Sequence, residues 1–238
     1  MCTTMKFRLF SLAALALTLL APADLYSASS PASAVLKSAE AKANAHDFIG
    51  ALADYDQAVQ LDPQNALAYG MRGVVKQIQG DFNGSIADFR KSLQLAPVSL
   101  TRFYLTIALR RAHQDAATAG LTAAVKTWPE GWEKAEGNFL AGNMSEKDFL
   151  AAAEKGDAKL IPQQECEAFY YAGMTRFFNS DLPGAKDYLT KCTDLKLTEN
   201  LEDMLARGEL ARLAASKTGS PASATGKPSA PVGPPAAK

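Results

Sequence analysis

Phe48 and Phe82, Ala53 and Ala87, Tyr55 and Phe89, Leu61 and Leu95, and Pro63 and Pro97 form five matched pairs whose members stand 34 positions apart. A chain that repeats at this period is built from small supersecondary units, each burying its apolar face only by stacking on its neighbours. Proline cannot continue a helix and disfavours helix in the residue before it, so Pro63 and Pro97 mark the ends of successive units. The expected fold class is all-α, a right-handed α-solenoid of helix–turn–helix repeats with a C-terminal capping helix.

The first unit covers about residues 32–65, with helices near Ala34 to Ala45 and Phe48 to Leu61. The second covers 66–99. Its first helix, Ala66 to Gln79, carries Gly73 where a partner helix comes close, and Gly80-Asp81-Phe82 makes the turn. Ser85, Phe89 and Ser92 then alternate small and large along the second helix, as interlocking helices require. This pattern resembles the tetratricopeptide repeat. A third, degenerate unit runs over 99–129, with Phe103, Leu105 and Leu109 on one helix and Ala117, Leu121 and Ala124 on the next. The period fails across 130–160, where two short helices are expected, Trp132 to Leu140 and Glu146 to Glu154. Ser145 with Asp148 supplies a capping box for the second of these. A fourth unit over 166–197 places Phe169, Gly173, Ala185, Leu189 and Cys192 on its packing faces. Leu201, Leu205, Leu210 and Leu213 line one side of a closing helix over 199–215.

Both chain ends differ in kind from this middle. Lys6 and Arg8 precede an apolar run from Leu9 to Leu20, and Ala21-Pro22-Ala23 offers small residues for cleavage, so residues 1–23 read as an export signal. Ala34 ends a second candidate cleavage site, and an uncleaved anchor is the alternative. The run is shorter than the roughly 20 residues of a membrane span. The expected location is therefore the periplasm or the cell exterior, with no stable membrane anchor after cleavage. Residues 24–31 form a flexible lead, and residues 216–238, almost all Ser, Ala, Pro, Gly, Thr and Lys, form a disordered tail.

Lys plus Arg equals Asp plus Glu, at 25 each, so no global field draws the chain to nucleic acid. His46 and His113 are the only histidines, and both fall at turns. No phosphate loop, nucleophile elbow or metal-spaced Cys/His cluster appears, so no catalytic, metal-binding or cofactor-binding residue is assigned and an enzyme is not expected. Cys166 and Cys192 fall on facing helices of the fourth unit. An oxidising compartment favours a bridge between them, while two buried small apolar side chains are the other reading.

Beyond the repeat, three stretches resemble the NlpI-like tetratricopeptide proteins of bacterial envelopes: Asn138 to Glu146 (Asn-Phe-Leu-Ala-Gly-Asn-Met-Ser-Glu), Glu167 to Gly173 (Glu-Ala-Phe-Tyr-Tyr-Ala-Gly), and Asn200-Leu201-Glu202 with Glu209 to Leu213. The resemblance covers most of residues 32–215. It implies a non-enzymatic adaptor that docks other envelope proteins, such as cell-wall hydrolases or proteases. The lipid-acceptor cysteine common among these relatives is missing after the apolar run, and the oligomeric state is left open. Tetratricopeptide arrays present the first helix of each unit to a groove, which places Leu36, Glu40, Gly70, Val74, Gln77, Tyr104, Ala108, Arg111, Tyr170, Met174 and Phe177 as the protein-binding residues. This largely apolar set suits a docked peptide or helix, while filling of part of the groove by the closing helix, at Tyr170, Met174 and Phe177, is the other reading. The runner-up function is direct binding of peptidoglycan or another envelope polymer, with Trp128 and Trp132 as stacking platforms.

Overall fold

A computed structural model of the protein describes residues 30–114 and 118–217. The proposed export signal, most of the flexible lead, Ala117 and nearly all of the tail lie outside them. Among the described residues the protein is all-α, with eleven helices and no strand. In order they are α1 (Pro31–Asn44), α2 (Phe48–Leu61), α3 (Ala66–Gln79), α4 (Phe82–Leu95), α5 (Ser99–Arg111), α6 (Ala119–Val125), α7 (Trp132–Leu140), α8 (Glu146–Ala153), α9 (Ile161–Phe178), α10 (Leu182–Asp194) and α11 (Leu201–Lys217).

One turn design recurs. The helices α1, α3 and α9 each end through a residue in the left-handed region: His46 (φ 61°), Gly80 (φ 86°) and Ser180 (φ 63°). The next residue is aspartate each time. Its N–H closes the helix by donating to the carbonyl five residues back, Lys42, Lys76 or Arg176, at 2.9 Å. Its carboxylate then caps the following helix by accepting from the N–H of Gly50, Gly84 or Gly184, again at 2.9 Å. One aspartate thus ends one helix and starts the next, which makes α1–α2, α3–α4 and α9–α10 tight antiparallel pairs. His113 (φ 55°) ends α5 through the same backbone closure, with the Gln114 N–H donating to Leu109 O at 2.9 Å.

The 34-residue echo extends to electrostatics. Lys42 meets Asp54 at 2.6 Å across α1–α2, and Lys76 meets Asp88 at 2.7 Å across α3–α4. Asp88 is buried and also receives Arg72, which reaches back to Asp56 on α2 at 2.9 Å and so stitches the first pair to the second. At Gly73 a Cβ would lie 2.7 Å from the Phe89 ring, so the close approach expected of α3 and α4 is present. Gly173 stands in the same relation to Leu189, at 3.0 Å. Cys166 and Cys192 are bridged between α9 and α10, with their Cα atoms 4.3 Å apart.

Several expected boundaries need correcting. Helix α1 begins at Pro31, because Ser30 caps it by accepting from the Ser33 N–H at 3.1 Å and proline suits the first helical turn. Residues 30 and 31, expected within the flexible lead, thus belong to the capped start of this helix. Helix α9 starts at Ile161, five residues ahead of Cys166, again with a proline in its first turn. Helix α11 runs from Leu201 to Lys217 rather than over 199–215. Asn200 starts it by accepting from the N–H groups of Glu202 and Asp203, and the last turn carries the helix two residues into the expected tail. The buried apolar residues form two clusters, one within α1–α3 and a larger one from α3 to α11.

Candidate functional site

Helix α11 does more than cover an open end. It crosses back to pack on α3, α9 and α10, and its polar side chains bond to α3, α5 and α9. Close approach to α3 is allowed by Gly208, where a Cβ would stand 3.3 Å from Ile78 O. Beside it the Arg212 guanidinium donates to that same carbonyl at 2.7 Å, a link spanning 134 positions. Arg111 of α5 pairs with the buried Glu209 at 3.4 Å, and Arg212 flanks Glu209 at 2.8 Å. At the other end of α11, Glu202 accepts from the hydroxyls of Tyr104 (2.7 Å) and Tyr171 (3.2 Å).

This arrangement corrects the expectation of an open groove. Val74, Gln77, Tyr104, Ala108, Tyr170 and Met174 are all buried. Gln77 donates to the Tyr170 hydroxyl at 3.3 Å, which joins α3 to α9 beneath α11. The apolar stripe on the first helices is filled from within: α11 packs on α3 and α9, Glu202 accepts from the Tyr104 hydroxyl, and the Tyr170 hydroxyl is met by Gln77. Gly70 does not face that stripe: a Cβ there would meet Ser92 and Thr101 of α4 and α5. Leu36 packs in the smaller cluster with Tyr55, whose pKa is raised first by burial and then by the nearby, half-buried Glu40. Arg111 and Phe177 are the two members that line a cavity.

That cavity, of about 850 Å³, lies where the last turns of α5, α7 and α9 converge. Phe139, Phe177 and Phe178 supply its apolar wall, and Arg110, Arg111 and His113 supply its polar side. The Arg110 guanidinium lies over the Phe178 ring, 4.1 Å from its centre, and Arg111 is held between Phe82 and Phe177 at 4.7 and 4.5 Å. Burial pulls the pKa of both arginines below the ordinary value; for Arg111 the Glu209 carboxylate opposes that effect.

A second polar cluster, absent from the sequence expectations, lies in the core where α7, α9 and α11 meet. Glu136, Glu167 and Glu202 are each at most 6% exposed. The Trp132 indole N–H and the Gln163 amide, the latter at 2.8 Å, donate to Glu167, which also shares a hydrogen bond with Glu136. Among the described residues no ion pair involves Glu136 or Glu202. Burial first, and the neighbouring Glu167 carboxylate second, push Glu136 well above the carboxylate range and Glu202 up to about 7. Burial, reinforced by Glu202, likewise holds Tyr104 and Tyr171 well above the phenol range.

Trp128 and Trp132 pack at the joint between units. The Trp128 ring meets Phe103 edge to face at 5.7 Å, and Trp132 stacks on Phe149 at 5.2 Å. His46 and His113 occupy left-handed turn positions, so a backbone role accounts for both. Among the described residues, no group of His, Cys, Asp and Glu has an arrangement that could hold a metal ion, and no helix is long and apolar enough to cross a membrane. The individual signals were present in the sequence: an acidic residue inside the apolar stretch Cys166 to Met174, and arginines beside Phe177 and Phe178 in space. Their meeting depends on elements far apart along the chain. Compared with known proteins, the chain matches no family model and no curated protein.

Proposed function

We propose that the protein is a tetratricopeptide solenoid of the NlpI-like kind that acts as an exported, non-enzymatic adaptor in the bacterial cell envelope. One observation carries this reading: the same cap-and-turn, a left-handed residue followed by a two-sided aspartate, recurs at His46-Asp47, Gly80-Asp81 and Ser180-Asp181 between antiparallel helices that stack in chain order. Such arrays bury their core through neighbour contacts and leave long faces for partners. The buried carboxyls and tyrosines bond to each other in support of the fold, as an adaptor's core does. With the inner stripe occupied by α11, partners engage surfaces outside it.

The test is capture from envelope extract by the purified chain, run beside binding to purified cell-wall sacculi. Specific retention of one or a few envelope proteins supports the adaptor reading. Retention by sacculi alone overturns it in favour of direct polymer binding.

A further inference from the structure

The cavity at the converging ends of α5, α7 and α9 has a composition that the fold alone does not require. Its polar side carries Arg110, Arg111 and His113, and among the described residues no carboxylate lines it. Arg111 has a partner in Glu209. Arg110 has none among the described residues: its guanidinium is placed by the face of Phe178, and desolvation alone accounts for its lowered pKa. A half-buried cation on an aromatic floor, with no anion facing it among the described residues, is electrostatically incomplete, because it has given up water without a charged partner there. Arg110, seated over a ring that offers no hydrogen-bond acceptor, keeps its planar fork of N–H donors for another group, and that fork can receive a carboxylate through two hydrogen bonds. The other arginine of this region shows the contrast, since Arg176 is met by both Glu146 and Asp181.

A volume of about 850 Å³ far exceeds what a bare inorganic anion fills, and it lies within the range of sites that enclose several side chains. Phe139, Phe177 and Phe178 ask for apolar groups beside the charge. We infer that this cavity is a docking site for an acidic peptide segment of a partner protein, in which a Glu or Asp side chain pairs with Arg110 while flanking apolar residues pack on the phenylalanines. The site rests on the adaptor reading above and adds to it the chemistry of what is bound.

The experiment is calorimetric titration of the full chain with the blocked peptide acetyl-Gly-Ser-Phe-Glu-Leu-Ser-Gly-amide, against the same peptide with Gln for Glu. Saturable binding is expected, at least tenfold weaker for the Gln peptide and weakening as salt is raised. Arg110→Gln should lose binding at least tenfold with an unchanged thermal midpoint, and Arg110→Lys should recover part of it. Equal binding of the two peptides overturns the proposal with no protein variant needed. Equal binding by Arg110→Gln, or displacement by sodium acetate as effective as by free peptide, overturns it as well. Capture of envelope proteins by a chain that binds neither peptide would remove this site and leave the adaptor reading standing. Absence of any such capture would remove the adaptor reading itself.

Discussion

Glu202 gives the sharpest test of the buried acidic cluster. In the unfolded chain its carboxyl titrates near the ordinary 4.5, while in the folded protein burial and the adjacent Glu167 carboxylate raise it to about 7. Below pH 4.5 it is protonated in both states and carries no penalty. As pH climbs from 4.5 to 7, the unfolded chain releases the proton that the folded protein still holds, so unfolding becomes steadily more favourable. Above 7 the loss is complete. At 1.36 kcal/mol per pH unit this interval corresponds to roughly 3 kcal/mol, a large part of the stability of an ordinary domain. Glu202→Gln removes the titrating proton and keeps an oxygen to accept from Tyr104 and Tyr171. Urea unfolding followed by helical circular dichroism, at pH 5 and pH 8, should show the wild type losing roughly 2–3 kcal/mol more than the variant across that span, the remainder having been lost below pH 5. Taking the difference between the two proteins cancels contributions shared by both, such as the Arg72–Asp88 ion pair. Parallel stability profiles for the two would refute the reasoning, because they would mean that Glu202 is solvated or paired with a cation.

Other expectations follow from geometry alone. Reduction of Cys166–Cys192, or replacement of both by Ala, should cost about 3.5 kcal/mol for the 26-position loop in the chain-entropy account; thiol titration in denaturant should find no free thiol among the pair before reduction. Gly73→Ala drives a Cβ into the Phe89 ring and should destabilise by roughly 1–3 kcal/mol by thermal melting. His46→Gly should stabilise by about 1 kcal/mol and Gly80→Ala should destabilise by a similar amount, since both occupy the left-handed turn position. Equal and small effects at both would remove the turn from the account of repeat stability.

Local signals carried most of the helix register. The bounds of α2, α3 and α7 follow from Asp-Pro punctuation, the Gly80 turn and the Pro129-Glu130-Gly131 break, all within a few residues of the ends they set. The start of α9 was less legible, because Pro162 reads as an interruption although it sits comfortably in the first turn of a helix. Nothing local distinguishes Glu136 or Glu202 from the solvent-facing glutamates around them, and Glu167 is marked only by the apolar stretch Cys166 to Met174 in which it sits. Their burial arises only when α7, α9 and α11 meet, which joins residues such as Trp132 and Glu167 across 35 positions and Tyr104 and Glu202 across 98. The filled stripe was legible only as one of two alternatives, a groove left open or one occupied by the closing helix. An amphipathic closing helix announces its apolar side but not which of two distant surfaces it will reach.

The link from Arg212 to Ile78 bears on how the chain matures. Pairs such as α1–α2 and α3–α4 close through contacts a few dozen residues apart, so they can fold while the rest is still being made. The Tyr104 and Tyr171 hydroxyls, in contrast, stay without their carboxylate acceptor until α11, the last described helix in chain order, brings Glu202. Completion is thus signalled at one place. A chain that is cut short or trimmed before Leu201 carries the hairpins yet leaves open the apolar face on α3, α9 and α10 that receives Met204, Leu205 and Ala206, and such a face is the kind of feature that chaperones and proteases act on. Helix α11 therefore serves as a physical receipt that the sequence through residue 217 is present.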